Sequence, residues 1–156
     1  MNVHHILLND NNPLHQELSI YRTGSINHIK LTDRSYHTYG VLEIDGHNYA
    51  ALFHYELPAH LNSLPFISES NNGLESWDEA ILHHSALPEL LLLLEQQKNI
   101  ICTKKIETII VGWQDQPVGI AYLRTIDPTQ FLHFFALLQA FIQQALANQF
   151  DLEFVL

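Results

Sequence analysis

Residues 106–148, IETIIVGWQDQPVGIAYLRTIDPTQFLHFFALLQAFIQQALAN, decide the fold class. Two β-rich runs, Ile106 to Trp113 and Val118 to Ile126, flank Asp115-Gln116-Pro117 and predict a hairpin. Asp127 then stands where a helix N-cap belongs, and Pro128 suits the first helical position. Gln130 is placed to complete a capping box. From Pro128 to about Asn148, Phe131, Phe134, Phe135, Leu138, Phe141, Ile142 and Ala145 recur at helical spacing. No Asp, Glu, Lys or Arg occurs from Thr129 to Asn148, and Leu132, Ala136, Leu146 and Ala147 widen the apolar stripe. A helix so apolar belongs inside a core or against another chain. The core is the expectation, and a homodimer through this helix is the alternative. Phe150 to Leu156 alternates and is expected to return as a final strand.

Upstream, Leu90 to Leu94 is a run of leucines that calls for burial on most sides. Pro88 suits the first turn of its helix, which is expected to reach about Gln97. Before it, Ser76 and Glu79 have the spacing of a capping box, with Trp77, Ala80, Ile81 and His84 along one helical face. Ser68 to Gly73 (SESNNG) reads as a loop. Asp45-Gly46 is the dipeptide that a type I′ turn favours, so Tyr36 to Ile44 and His47 to Glu56 are predicted to form another hairpin. Val3 to Leu8, Leu18 to Tyr21 and Ile26 to Leu31 read as short strands, the first two separated by the turn-rich NDNNP of residues 9–13. The expected fold is α+β, in one domain over residues 1–156. Two antiparallel hairpins in a mainly antiparallel sheet pack against a middle helical pair and the long apolar C-terminal helix.

Charge bounds the function. The chain of 156 residues carries 17 acids against 7 bases, a formal net charge of -10. Residues 35–97 contain no Lys or Arg, yet hold Glu43, Asp45, Glu56, Glu69, Glu75, Asp78, Glu79, Glu89 and Glu95. Aromatics and leucines are interleaved, so this is a folded surface with a negative field and not an acidic tail. Such a surface repels nucleic acid and anionic membrane and favours a basic protein partner. Solubility alone is the plainer explanation of the same charge. The single cysteine, Cys102, excludes an intrachain disulfide and a cysteine-based metal site. The start of the chain lacks a secretory pattern, and no apolar run has the length of a membrane span. A cytoplasmic protein is expected.

Few constellations carry chemistry. With eleven histidines, no H-E-x-x-H or H-x-x-x-H pattern occurs. The adjacent pairs His4-His5 and His83-His84 point apart on a strand or a helix, which makes chelation by either pair hard. In the register of the predicted Asp45-Gly46 hairpin, His37 falls opposite His54, with Glu56 two residues further on the same face. Two imidazoles and a carboxylate suffice for zinc, although a polar, solvent-facing side of a sheet accounts for them as well. Cys102 beside Lys104 and Lys105 is expected to be a buried small apolar residue at a strand start. Neither a nucleophile elbow nor a glycine-rich phosphate loop is present. No cofactor is expected. Trp77 among acids is a candidate anchor for a partner's Arg or Lys, so Glu69, Glu75, Trp77, Asp78 and Glu79 form the expected partner-binding surface.

These features suit a non-enzymatic acidic binder, foremost an immunity protein that neutralises a bacterial toxin such as a nuclease. The order hairpin, helices, hairpin, long C-terminal helix over roughly residues 36–148 also resembles the class I chaperones of type III secretion. That resemblance implies a small acidic homodimer that escorts an effector. The chain departs from the pattern by starting with strands instead of an amphipathic helix, and by the length between its hairpins. A histidine- or zinc-dependent enzyme using His37, His54 and Glu56 is the third reading.

Overall fold

The computed structural model describes residues 3–7, 24–30, 41–75 and 80–154. Its elements are β1 (His4–Leu7), β2 (Gly24–Lys30), β3 (Val41–Ile44), α1 (Gly46–His54), α2 (Leu57–Leu61), β4 (Ala80–Leu82), α3 (Leu87–Ile101), β5 (Glu107–Gln114), β6 (Ile120–Ile126), α4 (Pro128–Ala147) and β7 (Asp151–Phe154). Short 3-10 turns occupy Gly73–Glu75 and His84–Ala86. The fold is α+β, as the sequence predicts. Among the described residues the strands form two sheets, where a single one was expected. One has the order β1-β6-β5, with β1 parallel to β6, and the other is the antiparallel sheet β3-β2-β7-β4.

The hairpin over residues 106–126 forms, with Glu107 opposite Ile126 and Gln114 opposite Ile120. Helix α4 follows as expected. The Asp127 carboxylate accepts from the Thr129 N–H at 2.9 Å, and Pro128 opens the first turn. Gln130 is not needed to complete the cap, because the Asp127 N–H donates to Nε2 of His47 at 2.9 Å. At the other end Gln149 turns left-handed, at φ 55°. The Phe150 N–H then bonds the Ala145 carbonyl and the Gln149 N–H the Leu146 carbonyl. These are the two bonds of a Schellman cap, and they turn the chain back into β7.

The periodic residues of α4 are the centre of the core. Phe131, Phe135, Leu138, Ile142 and Ala145 are buried, and the helix packs on α3, α1, β3 and β7. Burying each large side chain stabilises the fold by about 1.5–3 kcal/mol. Leu90 and Leu94 of the leucine run are fully buried, while Leu92 remains exposed. Helix α3 runs past Gln97 to Ile101, and Cys102 is its C-cap. Cys102 is exposed, against the expectation of a buried residue, and its thiol donates to the Asn99 carbonyl at 3.0 Å.

Two predicted elements are corrected. The hairpin around Asp45-Gly46 does not form. Asp45 instead caps α1, its carboxylate accepting from the Asn48 N–H at 2.8 Å, and Gly46 is the first helical residue. Asp-Gly serves both purposes, and the neighbours choose: the consecutive residues Ala50, Ala51 and Leu52 are all buried, which the alternation of a half-buried strand does not give. In place of a helix through Ala80 and Ile81 there is strand β4, paired with β7 and bridged to Ile67. Ala80 and Leu82 are buried with Ile81 between them half-exposed, which is period two. Ser76 to Glu79, Leu18 to Tyr21 and Tyr36 to Gly40 lie outside the described residues.

Truncating the core face of α4 and its exposed face should have very different costs. Phe135→Ala is expected to lose about 3–5 kcal/mol, and Leu137→Ala, at a position 61% exposed, to stay within about 0.5 kcal/mol. Urea unfolding of both variants measures the difference.

Candidate functional site

A cleft of about 300 Å³ opens where the α1–α2 junction meets the end of α3 and the start of β5. The junction contributes His54, Tyr55, Glu56 and His60, and the facing wall contributes Lys104 and Glu107 over a floor of Ile100 and Ile101. At the low end of ligand-site volumes, it suits one side chain or a small polar ligand.

Local structure aims these groups. Helix α1 ends at Tyr55, whose N–H returns to the Ala51 carbonyl. The Tyr55 ring packs on buried Phe131 with centroids 5.5 Å apart, so α4 fixes its position. Glu56 then takes a left-handed conformation, φ 56° and ψ 32°, to redirect the chain into α2. For a residue with a Cβ this costs about 1–2 kcal/mol. Its side chain makes no capping bond and stays exposed. Strain of this kind, where a glycine would relieve it, is common at binding sites.

His54 Nε2 and Glu107 Oε2 lie 3.1 Å apart across the cleft, with side chains 25% and 48% exposed. Lys104 is the single Lys or Arg among the described residues that line it. Two carboxylates, Glu56 and Glu107, stand against this one base. Burial pushes the Tyr55 hydroxyl above its ordinary value of 10.0, and the charges of Glu107 and Asp127 push it further in the same direction.

The structure redistributes the residues singled out in the sequence. His54 and Glu56 do share a site, but as part of a helix–helix junction. Because residues 46–54 are helical, the strand register that set His37 against His54 does not exist, and His37 lies outside the described residues. Of the expected acidic surface, Glu69 is exposed in a turn away from the cleft and Glu75 belongs to the 3-10 turn. Trp77, Asp78 and Glu79 lie outside the described residues. Tyr55, His60, Lys104 and Glu107 were not anticipated, since they come together only through tertiary packing. The one local signal was Pro58 one residue after Leu57, which marks a helix start and hence a junction at Glu56.

No family model, curated protein or solved structure matches the chain. Among the described residues, no helix is long and apolar enough to cross a membrane.

The raised Tyr55 has a consequence for stability. As pH climbs past about 10, tyrosine in the unfolded chain releases its proton first, so the folded state loses stability through that window and none of this contribution is lost below it. Glu107→Gln removes one of the causes and should bring the Tyr55 titration down towards the ordinary value. The tyrosinate absorbance difference between the protein and its Tyr55→Phe variant measures it, with and without Glu107→Gln. An unmoved titration would mean that Tyr55 does not sense Glu107.

Proposed function

We propose that this chain is a non-enzymatic acidic binding protein that masks a basic protein partner, in the manner of an immunity protein neutralising a toxin such as a nuclease. The observation that carries the reading is the cleft: Glu56 and Glu107 flank an aromatic wall, Tyr55, whose hydroxyl is pushed up first by burial and then by the charges of Glu107 and Asp127. Carboxylates beside an aromatic ring are what an Arg or Lys side chain seeks, for ion pairing and for the cation–π contact. The cleft therefore takes the place of the Glu69-to-Glu79 surface as the expected anchor point.

Magnitudes favour a protein over a free cation. An exposed ion pair contributes about 0–1 kcal/mol, too little to hold a ligand alone. Strand β5, which starts at Glu107, ends the sheet order β1-β6-β5 and also exposes Ile110 and Trp113. An apolar strip next to an acidic cleft supplies affinity by burial, while the net charge of -10 speeds capture of a basic partner. The chaperone reading loses support, because the first hairpin in its element order is replaced by β3 and α1. The enzyme reading built on His37 and His54 loses the strand pairing that it required.

The test is affinity capture from the native host at low salt, followed by binding kinetics with the captured protein. A basic partner at near-equal stoichiometry is expected, with association that slows as salt rises. Glu56→Gln with Glu107→Gln should slow association several-fold and flatten its salt dependence. An acidic partner, or kinetics indifferent to both salt and the double variant, would overturn the proposal.

A further inference from the structure

A second cluster lies apart from the cleft, on the edge of the antiparallel sheet. Strands β4 and β7 pair with Leu82 opposite Leu152, so one step further along the ladder brings His83 opposite Asp151. At that point the chain leaves the strand. His83 is extended, at φ -65° and ψ 145°, and caps the 3-10 turn that begins at His84. This change of backbone direction is what a uniform strand or helix lacks, and it brings the two adjacent imidazoles together with ring centroids 4.0 Å apart. Chelation by this pair is therefore open, contrary to the expectation from regular backbone geometry.

Asp151 completes the cluster. It is only 8% exposed, and its Oδ1 accepts from the His84 N–H at 2.8 Å and lies 3.1 Å from His84 Nδ1. One donor atom from each of His83, His84 and Asp151 lies within 4.8 Å of the other two. Tetrahedral zinc with bonds of about 2.0–2.2 Å holds its ligands roughly 3.3–3.5 Å apart. The His84–Asp151 pair is already near that spacing. The exposed His83 closes the remainder by a side-chain rotation, exchanging its contacts to Ser85 Oγ at 2.8 Å and to the Ser85 N–H at 3.2 Å.

We propose that His83, His84 and Asp151 bind a divalent transition cation of the zinc type, with water in the fourth position. Two imidazoles and one carboxylate suit Zn(II) and disfavour Mg(II) or Ca(II), which prefer oxygen ligands. The site clamps the 3-10 turn to the start of β7 and so ties α3 to the sheet edge. It involves none of the residues of the cleft, and it stands or falls independently of the partner-binding proposal.

The full chain, stripped with EDTA and dialysed, is titrated with ZnCl2 by calorimetry and with CoCl2 by visible absorption. One equivalent of each is expected, with tetrahedral Co(II) bands. His84→Ala and His83→Ala should each weaken binding by roughly tenfold or more, and His133→Ala, on the exposed side of α4, should leave it unchanged. Asp151 holds the His84 N–H, so its substitution risks the fold. His83 is exposed, and the His83→Ala result decides. Absence of binding to the parent chain, or binding that survives His83→Ala undiminished, would overturn the assignment.

Discussion

One buried imidazole joins α1 to the start of α4. His47 sits in the first turn of α1, and its Nε2 accepts the N–H of Asp127, the residue that caps α4. Its Nδ1 lies 3.0 Å from Oδ1 of Asn48, while the Asn48 N–H bonds the Asp45 cap. The caps of both helices are thus linked through one ring. Accepting at Nε2 and donating from Nδ1 requires the neutral tautomer, so the ring is a fixed polar joint in an apolar setting. A bond of this kind contributes about 1 kcal/mol net, and losing it leaves a partly buried amide without that partner. Apolar burial along α4 supplies most of the stability; the His47 joint sets where α1 lies on it.

The position of α1 then determines the cleft. With the start of the helix tied to Asp127 and its end packed through Tyr55 on Phe131, the left-handed turn at Glu56 has one place to go. It faces the end of α3 and the start of β5, where Glu107 meets His54. Two carboxylates, two histidines and a tyrosine thereby converge from elements distant in sequence. The negative field has two sources of different reach. The net charge of -10 acts at long range. Glu56 and Glu107 act at contact distance, inside the cleft.

The sequence made the C-terminal half legible, because its signals agree with one another. Around α4, the Asp127-Pro128 start and the aromatic spacing both indicate a helix, and the hairpin before it has strongly β-type residues. The signals conflict between residues 36 and 84. Asp45-Gly46 is a turn dipeptide and also a cap followed by a permissive residue, and the buried Ala50, Ala51 and Leu52 resolve it as helix. Ala80-Ile81-Leu82 fits a helical face in isolation. It becomes a strand because β7 offers it a ladder, a long-range pairing that no local window contains. The candidate site was half legible for the same reason. His54 and Glu56 were singled out by residue type, but through a register that does not exist. Lys104 and Glu107 reach the cleft only after α3 and β5 are in place. The base-free stretch over residues 35–97 gave the sign of the field and did not give its focus.

The proposed seating of a cationic side chain in the cleft is tested most directly by amide chemical shifts of the full chain during titration with a short capped arginine peptide. Saturable shifts confined to residues 54–60 and 97–107 are expected, weakened by salt and absent with the same peptide carrying citrulline. Shifts spread over the acidic surface without a focus at Tyr55 and Glu107, or equal shifts with citrulline, would contradict it.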